Sequence, residues 1–209
     1  MDDSILIVDD SPYIVDGLVA LLKRKGYKPL AAHGGDEAIS LLRTNKPDLI
    51  LLDIMMEPMD GWETLEKIKS NPDTHNLPVL MFSAKKITPE EAQEHSLNIE
   101  DFVSKPVNPA QLLDSIKRIF ERRSNVILEA GFAKDAGLDG LIIGEYSALR
   151  KSIEVDKNLL AVLKNSCGMT VPGCVVSGDD LESITQLEQK IRADEIRLKE
   201  INEIFTHGG

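Results

Sequence analysis

Three short, unbroken apolar runs constrain this chain more than anything else in it: Ile5-Leu6-Ile7-Val8, Leu49-Ile50-Leu51-Leu52 and Val79-Leu80-Met81-Phe82. Each is too brief for a helix, lacks the alternation of a half-solvated strand, and gives way at once to polar residues. Strands buried on both faces of a parallel sheet read this way. Lys28 to His33 and Asp101 to Ser104 are weaker strand candidates. Between the runs lie stripes at helical spacing: Ile14, Leu18, Leu21 and Leu22; Ala38, Leu41 and Leu42; Leu65 with Ile68; and Leu112, Leu113, Ile116 and Ile119. Residues Pro89 to Ser96 are polar and poorly patterned. Five strand-helix units predict an α/β domain over residues 1–122, a five-stranded doubly wound parallel sheet with right-handed crossovers.

Beyond Arg122-Arg123-Ser124-Asn125 the pattern changes, and residues 123–209 read as a mainly helical extension. Val126 to Ile143, punctuated by Gly131, Gly137 and Gly140, has no assignable period. Tyr146, Leu149, Ile153, Leu160 and Leu163 follow helical spacing, and Ser166 to Asp180 is a Gly- and Pro-containing loop. In Leu181 to Phe205, Ile184, Leu187, Ile191, Leu198, Ile201 and Phe205 recur every three or four residues. This coiled-coil-like heptad helix, about 181–205, suits a partner helix or a second copy of the chain, with the core face of a terminal helix as the alternative. Asp194 on the seam favours the exposed pairing.

Composition narrows the classes. The 209 residues carry 24 Lys and Arg against 35 Asp and Glu, a formal charge of −11. Binding to a phosphate backbone needs clustered cations, so nucleic acid is an unfavoured partner. Cys167 and Cys174 are too few for a disulfide scaffold and lack metal-ligand spacing. His33, His75 and His95 are scattered and expected on the surface. No apolar stretch approaches the roughly 18 residues of a membrane span, and the N-terminus has no signal-type run, so a cytoplasmic protein without membrane attachment is expected.

Ligands of open parallel sheets sit beyond the carboxyl ends of the strands. There the sequence places Asp9 and Asp10, Asp53, Ser83 and Lys105. Three carboxylates gathered at one edge repel one another unless a cation joins them, and Mg²⁺ favours such oxygen ligands while keeping several waters. A lysine and a hydroxyl suit the oxygens of a phosphoryl group, whose transfer needs positioning and charge stabilisation more than covalent help. A carboxylate would be the nucleophile. Taken alone, Asp9 and Asp10 also suit capping of a helix that begins near Pro12.

Val8-Asp9-Asp10-Ser11, Leu52-Asp53-Ile54-Met55-Met56 running to Met59-Asp60-Gly61, Phe82-Ser83-Ala84 and Lys105-Pro106 occur in order at the ends of the first, third, fourth and fifth predicted strands. In these strings residues 1 to about 122 resemble the receiver domain of two-component response regulators, a flavodoxin-like fold; the extension resembles no family recognised from sequence. The resemblance implies that Asp53 is the phosphoacceptor and that Asp10, Asp53 and the Met55 carbonyl hold Mg²⁺, with Asp9 joining through a metal-bound water. It implies that Lys105 contacts the acyl phosphate, and that Ser83 and Phe102 are the switch hydroxyl and switch aromatic. Serine stands at Ser83 where the family often has threonine, and phenylalanine at Phe102 where it often has tyrosine. Glu57 precedes Pro58 where the family's proline usually sits, adding negative charge near the metal. Pro106 suits a cis bond aiming the lysine inward.

The function so implied is a response regulator of a two-component phosphorelay. A histidine kinase or phosphotransfer protein would be the donor, and the chain would be a switch promoting its own phosphorylation and dephosphorylation rather than an enzyme. Output would pass through the fifth strand and its flanking helices to the extension, altering protein-protein interaction or dimerisation. The alternative is a transcriptional regulator with an atypical DNA-binding C-terminal region. Against it, residues 123–209 hold ten Lys and Arg to fourteen Asp and Glu, with no helix-turn-helix pattern.

Overall fold

The computed structural model describes residues 3–84, 88, 91, 94–95, 97–135, 140–166 and 178–207; the side chains of 126–135, 165–166, 178–180 and 204–207 fall outside that description. The apolar runs form strands β1 (Ser4–Val8), β3 (Leu49–Asp53) and β4 (Val79–Ser83), and the weaker candidates form β2 (Lys28–Ala32) and β5 (Asp101–Ser104). All neighbours pair in parallel in the order β2-β1-β3-β4-β5. The order reverses between β1 and β3, the switch point beside whose carboxyl edge ligands of such sheets bind. Burial follows the composition: Ile5 to Val8, Leu49 to Leu52 and Val79 to Phe82 are fully or nearly fully buried, whereas β2, at an edge, is half-buried.

Helices α1 (Pro12–Arg24), α2 (Gly35–Leu42) and α3 (Gly61–Ser70) connect these strands. Pro12 starts α1 with its fixed φ. Gly26, at φ 87°, ends it in a Schellman turn in which the Tyr27 N–H donates to the Leu22 carbonyl at 3.1 Å. Asp60 caps α3 in a reciprocal box: its carboxylate accepts the Glu63 N–H at 2.9 Å, and the Glu63 carboxylate accepts the Asp60 N–H at 3.3 Å. A matching Thr88 and Glu91 box precedes helical residues in the poorly patterned segment before β5.

The chain divides into two units, one formed by residues 1–86 and 98–113 and the other by 87–97 and 114–209. Helix α4 (Pro109–Asp135) continues past the composition change at Arg122-Arg123, so the part of Val126 to Ile143 that lacked a sequence period is helical up to Asp135 and again from Gly140. Nothing between Arg122 and Ala130 breaks a helix, and one interior glycine, Gly131, costs only about 1 kcal/mol. His95, expected on the surface, is buried.

Helices α5 (Gly140–Ser166) and α6 (Gly178–His207) form an antiparallel hairpin. Arg197 donates to Glu145 at 2.7 and 3.1 Å, Lys157 pairs with Glu195 at 2.6 Å and Lys164 with Glu188 at 2.7 Å. Ile184, Leu187, Ile191 and Ile201 are buried, as are Ile153, Val155, Leu159 and Leu163 of α5. The heptad stripe expected to seat a separate partner helix is therefore seated within its own chain. Its period could not distinguish the two, because an intramolecular antiparallel seam has the same spacing.

Candidate functional site

The strand ends converge as their order requires. Asp9, Asp53 and Ser83 are buried, while Asp10 is exposed at the rim. Lys105, one residue beyond β5, donates from Nζ to Asp9 Oδ2 at 2.7 Å and to Asp53 Oδ2 at 2.6 Å. Its own N–H donates to the Ser83 carbonyl at 2.7 Å, which anchors its backbone to β4. The Lys105-Pro106 and Glu57-Pro58 bonds are both cis. The remaining carboxylate oxygens have backbone partners: Asp9 Oδ1 accepts the Ser11 N–H at 2.8 Å, and Asp53 Oδ1 accepts the Met55 N–H at 3.2 Å. The Asp9 bond reaches only the N–H of Ser11, the residue before α1, and no side chain caps that helix, so the capping alternative is not met; the other oxygen of Asp9 faces the lysine.

Asp9, Asp10 and Asp53 can each offer a carboxylate oxygen such that all three lie within 4.8 Å of one another. With the ammonium included, the four groups carry a formal charge of −2, which a single divalent cation neutralises. All-oxygen donors at this separation suit a hard cation such as Mg²⁺ better than a softer one. Burial pushes the Asp53 carboxyl above its ordinary value, the Lys105 hydrogen bond and charge and the Met55 N–H pull it back, and Asp9 adds to the rise. An added cation favours the ionised form, which is the form a nucleophile needs.

Phe102 is buried on β5, and Met55 and Glu57 are exposed on the loop after β3. Gly61 holds that loop close: its N–H donates to the Ile54 carbonyl at 2.9 Å, and a Cβ there would lie 2.7 Å from Ile54 Cα and nearer still to the Asp53 carbonyl oxygen. The sequence motif places Asp60-Gly61 only by its spacing from Asp53; the contact with the Asp53 backbone is additional. Sequence reading also missed Phe82, whose buried ring lies under Lys105 with Nζ 4.7 Å from the centroid.

This arrangement is an acidic, lysine-containing pocket at the carboxyl edge of a five-stranded parallel sheet, and the chain belongs to the response regulator receiver family, whose sequence model matches residues 5–117. A second model, described as Metanogen output domain 2, matches residues 122–209, the extension that sequence reading left unrecognised. The chain is 33% identical over 150 residues to the alkaline phosphatase synthesis transcriptional regulatory protein PhoP of Bacillus subtilis, covering 71% of this chain and 61% of that protein. It is 31% identical to protein PilH of Pseudomonas aeruginosa, over 55% of this chain and 95% of PilH. Among solved structures, a CheY-like response regulator receiver domain protein from Methanospirillum hungatei superposes with a TM-score of 0.54 at 29% identity, covering 60% of this chain and 99% of the other. The match to PhoP thus spans less than two thirds of that regulator.

Proposed function

We propose that residues 1–122 receive a phosphoryl group on Asp53 from a histidine kinase or phosphotransfer protein, and that residues 123–209 carry the output. The observation that carries this reading is the Lys105 ammonium shared between Asp9 and Asp53 beside a third carboxylate. Asp9, Asp10, Asp53 and the Met55 carbonyl would hold Mg²⁺, which when bound supplies charge neutralisation of the phosphoryl oxygens and leaves Asp53 ionised. An Asp53 carboxylate oxygen attacks phosphorus; the new O–P bond forms as the P–N bond to the donor imidazole breaks, and the departing nitrogen keeps the electron pair and takes up a proton. Lys105 is the one cation of this chain within hydrogen-bond reach of Asp53 among the described residues, and it follows the charge from carboxylate to phosphoryl oxygen. Ser83, buried at the end of β4, would donate its hydroxyl to the same group, and Phe102, buried on β5, would respond to that movement.

The chain would act in the cytoplasm as a switch rather than an enzyme with a diffusible product; no helix among the described residues is long and apolar enough to cross a membrane. Dimerisation, if phosphorylation drives it, would use surfaces other than the seam of Ile184, Leu187, Ile191 and Ile201, which is already buried within the chain. Phosphodonor labelling tests the reading. With Mg²⁺ and radiolabelled acetyl phosphate or phosphoramidate, the full chain takes up alkali-labile label, Asp53→Asn does not, and chelation abolishes uptake. Equal labelling of Asp53→Asn overturns the assignment.

A further inference from the structure

We infer that the ring of Phe82 is a positioning element for the Lys105 ammonium, a third partner that holds the cation over the acceptor when its carboxylate partners are otherwise engaged. The inference rests on the reading of Asp53 as acceptor. Phe82 pairs in register with Asp53 across β3 and β4, so the two side chains rise from the same face of the sheet. The ring is 1% exposed, and Nζ stands over it at 4.7 Å from the centroid. Lys105 itself is tied to β4 one residue further on, by its N–H to the Ser83 carbonyl at 2.7 Å, so ring and stem belong to one rigid strand end.

The chemistry distinguishes this partner from the other two. Asp9 and Asp53 bind Lys105 through charge, and the same two carboxylates are among those a divalent cation and an incoming phosphorus would engage. Once they are engaged, and until a phosphoryl oxygen is in place to accept it, the ammonium lacks those partners and would swing to solvent on its flexible stem. A benzene face attracts a cation through its quadrupole, neither titrates nor ligates a metal, and does so most strongly where water is excluded. An aliphatic residue at 82 fills the same volume without that attraction.

Fluorination of the ring separates electrostatics from packing, because successive fluorines weaken the negative face with little change in size. The full chain is prepared with phenylalanine, 4-fluoro-, 3,5-difluoro- or 3,4,5-trifluorophenylalanine at position 82, and as Phe82→Leu. Two quantities are read: the initial rate of acetyl phosphate labelling with Mg²⁺, and the solvent exchange rate of the Lys105 ammonium protons by NMR in the unphosphorylated chain. The labelling rate falls stepwise along the series, to about five- to tenfold lower at trifluoro, with Phe82→Leu at least as slow. Ammonium exchange accelerates in the same order. Rates flat across the fluorinated rings, with only Phe82→Leu impaired, assign Phe82 to packing alone and overturn the inference. Failure of the native chain to label overturns the acceptor reading instead, while the exchange series still decides whether the ring holds the ammonium.

Discussion

Removing the Lys190 ammonium from the α5–α6 hairpin exposes how that hairpin is held. Asp156 is fully buried, and Lys190 pairs with its Oδ2; the Lys190 side chain is 37% exposed. Ser152 Oγ lies 3.2 Å from both Asp156 Oδ2 and Asp194 Oδ2 and accepts from Lys190 Nζ at 2.9 Å. Asp156 Oδ1 has no hydrogen-bond partner among the described residues. Lys190→Met therefore leaves a buried carboxylate with one hydroxyl for compensation. Breaking a fully buried pair costs about 3–5 kcal/mol, and the partly solvated lysine places this one near the lower end, about 3 kcal/mol. Replacing both partners, Asp156→Leu with Lys190→Met, removes the orphaned oxygen as well and returns the hairpin to within about 1 kcal/mol of the native chain. The two-unit chain need not unfold in one step, so the assay is urea-dependent amide hydrogen exchange of α5 and α6 rather than a single melting curve. A penalty below about 1 kcal/mol at neutral pH, or a double variant worse than Lys190→Met, refutes the reasoning.

Two further outcomes follow from the receiver site. Asp53→Asn raises the thermal midpoint of residues 1–122 at neutral pH: burial lifts the native carboxyl above its ordinary value, so the native state binds a proton more readily than the unfolded state. Stability then falls as pH rises from the ordinary carboxylate range through the raised native value, and stays reduced above it. Melting at neutral pH and at about pH 3 checks this, since the gap between native chain and variant closes in acid, where both states are protonated. Gly61→Ala forces a Cβ onto the Asp53–Ile54 backbone, costs about 1–3 kcal/mol and slows labelling of Asp53; unchanged labelling shows that the loop yields without moving the acceptor.

Much of the receiver was legible because burial on both faces removes the ambiguity of pattern. Ile5 to Val8 and Leu49 to Leu52 admit one structure, and strand order then assembles Asp9, Asp53 and Lys105 without further information. Even the edge strand Asp101–Ser104, of mixed composition, followed from the regularity of the units around it. The rest was less visible because its determinants are pairwise. That the ring of Phe82 underlies Lys105 depends on register between strands, which no local motif encodes. That α4 runs through Arg122-Arg123 depends on the absence of a breaker, whereas the eye takes a change of composition for a boundary. The heptad stripe of α6 specified an apolar seam correctly, yet a seam does not say whose helix fills it.

That last ambiguity has a kinetic side. Eleven residues separate Ser166 from Gly178, and a tether of that length presents α6 to α5 at an effective concentration in the millimolar range. The cross-pairing of Glu145 with Arg197 and of Lys164 with Glu188 would be identical if two copies exchanged α6, so the charges themselves cannot tell self from neighbour. The tether makes that choice. At micromolar protein a neighbouring helix is outcompeted by the one already attached, and lengthening or cutting the connection is the change that hands the seam to a second chain.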